Sequence, residues 1–197
     1  MPSLYSFKPR FQACLRPLVV GLAARRVTPN QVTIAAVLLS VVAGAALCLA
    51  PGARAPLLAV PVVLLARMAL NAIDGMLARE HAMQTRLGGL LNELGDVLAD
   101  IALYLPLAWL PGIQPAAVVA FVMGGLLAEF AGVVAAAQGG ERRYDGPMGK
   151  SDRALAVSVV GIGWALGWIG PTVAGAVFWV AAALAFVTLI NRVRKSP

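Results

Sequence analysis

Charge is scarce in this chain, and acidic charge most of all. Nine Asp and Glu stand against sixteen Lys and Arg, and all four types together make up 13% of 197 residues. A water-soluble helical bundle needs polar outer faces, and a chain this poor in charge does not supply them. Cysteine is rarer still. Cys14 and Cys48 lie before and at the far end of the first long apolar run, so they are expected about 30 Å apart and form no disulfide framework. The one histidine, His81, reads as an interfacial polar group rather than a catalyst. Internal repeats and low-complexity linkers are absent. The first stretch carries Lys8, Arg10 and Arg16 without the continuous apolar core of a cleavable signal peptide, so the first span is expected to stay in the membrane.

What remains is hydrocarbon. Sixty per cent of the residues are hydrophobic and mean hydropathy is +0.82, in several runs near the length a bilayer requires. The fold expected is all-α: an integral membrane six-helix bundle with an N-terminal interfacial amphipathic helix. It forms a single membrane domain over 1–197, with an interfacial arm at 1–30 and six transmembrane helices within 31–193. Residues 5–26 mix Lys and Arg with Tyr, Phe, Leu and Val, the pattern of a helix lying in the interface, interrupted at Pro9 and Pro17. Thr28-Pro29-Asn30 reads as a capped helix start. Spans then follow at about Val32–Ala50, Leu57–Glu80, Gly88–Leu110, Ala116–Ala137, Ala154–Ile169 and Val173–Ile190, punctuated by Pro51-Gly52, Pro111-Gly112 and Gly170-Pro171.

The distribution of positive charge supports six spans. The N-terminal arm, the 79–86 link, the 138–153 loop and the tail hold 14 of the 16 Lys and Arg; only Arg54 lies on the other side and Arg67 within a span. The positive-inside rule then puts both termini and the polar loops in the cytoplasm. It also accounts for the net charge of +7 without a nucleic-acid partner.

Against that background, residues 71–100 are anomalous. Asp74, Arg79, Glu80, Arg86, Glu93, Asp96 and Asp100 crowd into segments that otherwise read as spans, and ionisable groups in hydrocarbon mark function by default. At ~100° per residue, Arg67, Asn71, Asp74 and Ala78 share an arc of about 60° on the second span, and Asn92, Glu93, Asp96 and Asp100 share about 100° on the third. The two polar faces are expected to meet near the cytoplasmic end, where Gly75, Gly88, Gly89 and Gly95 allow close approach by a helix or a ligand. Facing acids and amides can hold hard divalent cations, relay protons or ions, or simply join helices. In the fourth span Glu129 is a lone acid, and its role stays open.

The stretch resembles the signature of the CDP-alcohol phosphotransferase family, D-x2-D-G-x2-A-R-x8-G-x3-D-x3-D. Asp74-Gly75, Ala78-Arg79, Gly88 and Asp96 match in register, including the eight-residue gap. Thr28-Pro29-Asn30-x2-Thr33, the interfacial arm and the six spans are similar too, and the likeness is greatest to bacterial members without an assigned substrate. The chain departs at two positions: Asn71 and Asn92 stand where the pattern has its first and third Asp. An amide oxygen can ligate Mg²⁺ or Mn²⁺ without neutralising it, and Glu93 and Asp100 are the residues that could restore the charge.

The resemblance implies a divalent-metal-dependent transferase of phospholipid biosynthesis. It would move a phosphatidyl-type group from a CDP-alcohol, chiefly CDP-diacylglycerol, to a small alcohol or phosphorylated alcohol, releasing CMP. It implies Asp96 as catalytic base, and Mg²⁺ or Mn²⁺ held by Asp74, Asp96, Asn71, Asn92 and Asp100. Gly75, Ala78, Arg79 and Gly88 would take the CDP donor, and Lys150 and Arg153 the acceptor. The setting implied is a multi-pass homodimer in the bacterial inner membrane, with the site on the cytoplasmic side. Two other readings follow from the same residues. One is a catalytically altered family member that binds CDP-lipid or a partner protein, and the other a small ion or proton transporter.

Overall fold

The structure is a computed structural model that describes residues 8–140 and 145–195. The start of the expected interfacial arm (1–7), residues 141–144 of the long polar loop and the last two residues lie outside the described set. Among the described residues seven α-helices follow in order: α1 Lys8–Ala24, α2 Pro29–Leu49, α3 Arg54–Glu80, α4 Arg86–Tyr104, α5 Pro115–Ala137, α6 Lys150–Ala165 and α7 Pro171–Arg194. No strand occurs among the described residues.

Local chemistry sets several of these boundaries. α2 opens with a reciprocal cap: the Gln31 N–H donates to Thr28 Oγ1 (3.3 Å) and the Thr28 N–H to Gln31 Oε1 (2.9 Å), with Pro29 at the first helical position. α4 stops at Tyr104 and tightens into a 3-10 turn over Leu105–Trp109, because Pro106 has no N–H for an α-helical bond. The third span is therefore helical over a shorter stretch than the sequence suggested. The turns after α2 and after the 3-10 segment use Gly52 (φ 80°) and Gly112 (φ 76°), backbone angles that side chains disfavour.

Among the described residues four helices are long and apolar enough to cross a membrane: α2, α3, α5 and α7. α4 carries Arg86, Glu93, Asp96 and Asp100, and α6 is 16 residues long with Lys150, Asp152 and Arg153 in its first turn. Many large apolar side chains point outward, among them Leu49 (86% exposed), Val42, Val62, Leu65, Phe130 and Trp168. In water they would form a sticky surface; in a bilayer they are solvated by acyl chains.

The chain groups into two compact units, Met1–Leu39 with Leu65–Ala99, and Ser40–Leu64 with Asp100–Pro197. In the first, α1 lays Val19 on Val32, Ile73, Met76 and Leu77, with Leu15, Leu22 and Leu70 around them. Arg16 fastens α1 through two hydrogen bonds to the Glu80 carboxylate (3.2 and 3.0 Å) at the end of α3. That bonded carboxylate raises the Arg16 pKa above its ordinary value. In the second unit α5 packs along α7, and Tyr104, Phe121 and Phe178 form a run of tilted rings with centroids 5.8 and 5.4 Å apart.

Candidate active site

The first unit collects most of the residues singled out by sequence. Asp74 is buried on α3. A buried carboxylate in an apolar helix must be hydrogen-bonded to stay charged, and Thr33 on α2 supplies a bond, its Oγ1 lying 2.8 Å from Asp74 Oδ2. The single Thr33 proton also lies within reach of the Pro29 carbonyl (3.1 Å); the carboxylate is nearer and charged, so it is the stronger acceptor. One turn before Asp74, Asn71 Nδ2 donates to Asp96 Oδ1 on α4 at 2.7 Å. The polar faces of α3 and α4 thus meet through this amide–carboxylate pair, and Asn71 ties the neighbourhood of Asp74 to Asp96.

The signature glycines occupy tight places. A side chain on Gly75 would come within 2.9 Å of Arg79 Nη2, so the Arg79 guanidinium lies back over Gly75, one turn away. A Cβ on Gly88 would meet Asn30 Oδ1 at 2.8 Å and Thr85 Oγ1 at 2.9 Å. Gly95 faces Thr33 and Val37, which brings α4 against α2, whereas Gly89 has open space around it. Ala78 and Asn92 are half-buried, as is Glu93.

In the second unit, Arg153 is 2% exposed. Its Nη2 donates to Asp100 Oδ2 and Glu129 Oε1, both at 3.1 Å, and its Nη1 has no hydrogen-bond partner. Gly125 on α5 makes room for it, since a Cβ there would come 2.8 Å from Arg153 Cδ. Arg192 is equally buried; its Nη1 donates to the Ala128 carbonyl (2.6 Å) and lies 3.8 Å from Glu129 Oε2. Two buried arginines are thereby balanced by two carboxylates. Lys150 is half-buried at the start of α6, where the Asp152 carboxylate accepts the Gly149 N–H at 2.9 Å.

Sequence reasoning missed three contributors. Thr33 and Asn30 were visible only as part of a helix start, and Arg192 only as a topology charge. Thr33 and Asn30 act across 41 or more residues, on Asp74 and Gly88. The hints for Thr33 were its place in the Thr28-Pro29-Asn30-x2-Thr33 start and a polar residue one turn inside an apolar span.

These donors suit a hard cation: carboxylate and amide oxygens from Asp74, Asp96, Asn71 and Asn92, without a thiolate or imidazole. Among the described residues no group of three or more His, Cys, Asp or Glu gathers as a metal cluster.

An all-helical membrane chain with a D-G-x2-A-R motif whose Asp74 is bonded by Thr33, near the start of α2, defines a class, the membrane transferases that act on CDP-alcohols. The model of the CDP-alcohol phosphatidyltransferase family matches residues 26–187, and the chain belongs to that family. It is 45% identical over 195 residues to the inner membrane protein YnbA of Escherichia coli, covering 98% of this chain and 96% of that protein. It is 30% identical to the phosphatidylinositol phosphate synthase of Corynebacterium glutamicum, covering 100% of this chain and 91% of the relative. Its fold matches the crystal structure of Mycobacterium tuberculosis phosphatidylinositol phosphate synthase with CDP-DAG bound, with a TM-score of 0.77, 24% identity, and 92% and 94% of the two chains covered.

Proposed function

We propose that this protein transfers a phosphatidyl group from CDP-diacylglycerol to the hydroxyl of a small alcohol, releasing CMP, at the cytoplasmic face of a bacterial inner membrane. The observation that carries this reading is the first unit's polar seam, with Asp74 held by Thr33 and Asp96 held by Asn71. The enzyme is a single membrane domain acting as a homodimer, and the asymmetry of Lys and Arg supports cytoplasmic termini.

Each residue answers a need of the reaction. The acceptor oxygen attacks the phosphorus that carries the lipid, the bond to the bridging oxygen breaks, and CMP leaves with the electron pair. Asp96 takes the acceptor's proton as general base, its carboxylate oriented by the Asn71 amide. Asp74 and Asp96, with Asn71 and Asn92, would hold Mg²⁺ or Mn²⁺, which would supply the positive charge that a pyrophosphate leaving group requires, while Asp100 of the expected set is bound to Arg153. Arg79 binds donor phosphate above Gly75, and Gly75, Ala78 and Gly88 keep side chains clear of the cytidine. Lys150 and Arg153 take the acceptor. Arg153 Nη1 is the buried donor left for an acceptor oxygen, while Asp100 and Glu129 fix the rest of its guanidinium.

The test is purified protein with CDP-diacylglycerol, Mg²⁺ or Mn²⁺, and a panel of free and phosphorylated alcohols. CMP should appear only when metal and a suitable alcohol are both present. No CMP with any alcohol, together with no metal-dependent CDP-lipid binding, defeats the proposal. Asn71 and Asn92 favour one second reading, a family member that binds CDP-lipid without transferring it. In that case Asp96→Asn leaves the cellular phenotype unchanged.

A further inference from the structure

Thr188, Arg192 and Lys195 stand on one face of the C-terminal end of α7. All three hold the same short segment, 145–149, which leads into α6. Lys195 Nζ donates to Asp145 Oδ1 at 2.7 Å, and Arg192 Nε donates to the Asp145 carbonyl at 3.3 Å. Thr188 Oγ1 accepts the Met148 N–H at 3.0 Å. The Lys195 link is exposed, and water weakens it. The Thr188 link is sealed: Thr188 is 0% exposed and Met148 is buried. The hydroxyl proton goes to the Leu184 carbonyl at 2.9 Å, which leaves the oxygen's lone pairs to accept from Met148. Gly146 (φ 135°) completes the fit, since a Cβ there would collide with the Thr188 side chain.

This contact fixes the backbone just ahead of Lys150. The Gly149 N–H goes to the Asp152 carboxylate, and the Gly149 carbonyl accepts the Arg153 N–H at 3.0 Å, so α6 begins where the segment is pinned. Arg153 is held a second time, through its side chain, by Asp100 and Glu129. Lys150, half-buried at the first position of α6, takes its place from the backbone that runs on from Met148. We infer that Thr188 is a positioning residue for the acceptor alcohol, setting the first turn of α6 and with it the Lys150 ammonium. The inference rests on the reading above, in which Lys150 and Arg153 take the acceptor. Without the Thr188 oxygen the Met148 N–H is a buried donor with no acceptor, and the segment must shift to find one.

The test is kinetic. Full-length protein in detergent, saturated with CDP-diacylglycerol and Mn²⁺, is assayed for CMP release while glycerol, inositol or the monophosphate of either is varied. The alcohol giving the fastest release is followed. Thr188→Val should raise the KM for that alcohol roughly tenfold, with kcat and the KM for CDP-diacylglycerol within about twofold of the wild type. Thr188→Ser, which keeps the oxygen, should bring the KM back. Lys150→Gln should raise the same KM, and adding Thr188→Val to it should change little more, because the two act on one contact. An unchanged KM in Thr188→Val, or two effects that simply multiply, overturns the inference and leaves the acceptor reading standing. An unchanged KM in Lys150→Gln sinks the acceptor reading and the inference with it. If Thr188→Val does not fold, Thr188→Ala removes the same oxygen and is judged in the same way. Failure of both beside a folded Thr188→Ser makes the hydroxyl purely structural, which also overturns the inference. No CMP with any alcohol of the panel defeats the transferase reading on which both depend.

Discussion

Thr33 and Asp74 are 41 positions apart and meet at 2.8 Å in the buried part of the first unit. Hydrogen bonds to a charged group are worth about 1.5–3 kcal/mol. Thr33→Val, which keeps the shape and removes the proton, should therefore lower CMP release roughly tenfold or more and raise the metal concentration needed for half-maximal rate. Thr33→Ser should recover most of both. Asp74 itself was legible in the sequence because a carboxylate in an apolar span has few innocent explanations; Thr33 was not, because hydroxyls are common in such spans and bond their own helix. The second cluster shows the same limit. Arg153 is bound to carboxylates from two other helices, and Glu129 was readable as an anomaly but not as its partner. Removing one member of a buried ion pair strands the others, at a cost of about 3–5 kcal/mol. Arg153→Met should lower the thermal unfolding midpoint sharply in detergent. Adding Asp100→Asn should restore much of it, because Glu129 then still has Arg192 as its partner and no buried charge is left alone.

The elements themselves were read well where punctuation is chemical. The Thr28-Pro29-Asn30 start, the Pro51-Gly52 and Pro111-Gly112 turns and the Gly170-Pro171 break all fall at or beside helix ends, because proline's missing N–H and glycine's free backbone act locally. The α-helix of the third span ends at Tyr104, and the reading to Leu110 took in the 3-10 turn that follows it. Apolar character runs on through Leu105–Trp109, and hydropathy does not distinguish an α-helix from a 3-10 turn. Helix–helix distance was likewise hidden. Gly44 on α2 abuts the Ala102 carbonyl on α4, so that even a methyl group has no room. Gly44→Ala should destabilise the protein by about 1–3 kcal/mol through overpacking. By contrast Gly21→Ala on α1, with nothing within 4 Å, should be neutral or stabilising. Thermal unfolding of the two variants side by side checks this, and equal midpoints would contradict it.

At the scale of the molecule, membrane residence was written in composition, and the placement of 14 of the 16 Lys and Arg favours an even number of spans. Both follow from the cost of moving charge through hydrocarbon, which every segment bears independently. Reporter fusions at the two ends should both report cytoplasm, and a single terminus on the far side would contradict the six-span topology. The meeting of the polar faces of α3 and α4 was legible, since spacing gives those faces, while contacts across helices decide which oxygens are committed to protein partners. The central claim is that Asp96, presented by Asn71, accepts the proton of the attacking alcohol. It is tested most directly by the rate of CMP release from CDP-diacylglycerol by Asp96→Asn at saturating metal and alcohol. The account predicts a fall of roughly 10²-fold or more, the contribution of a positioned general base, while a rate within about twofold of the wild type would contradict it.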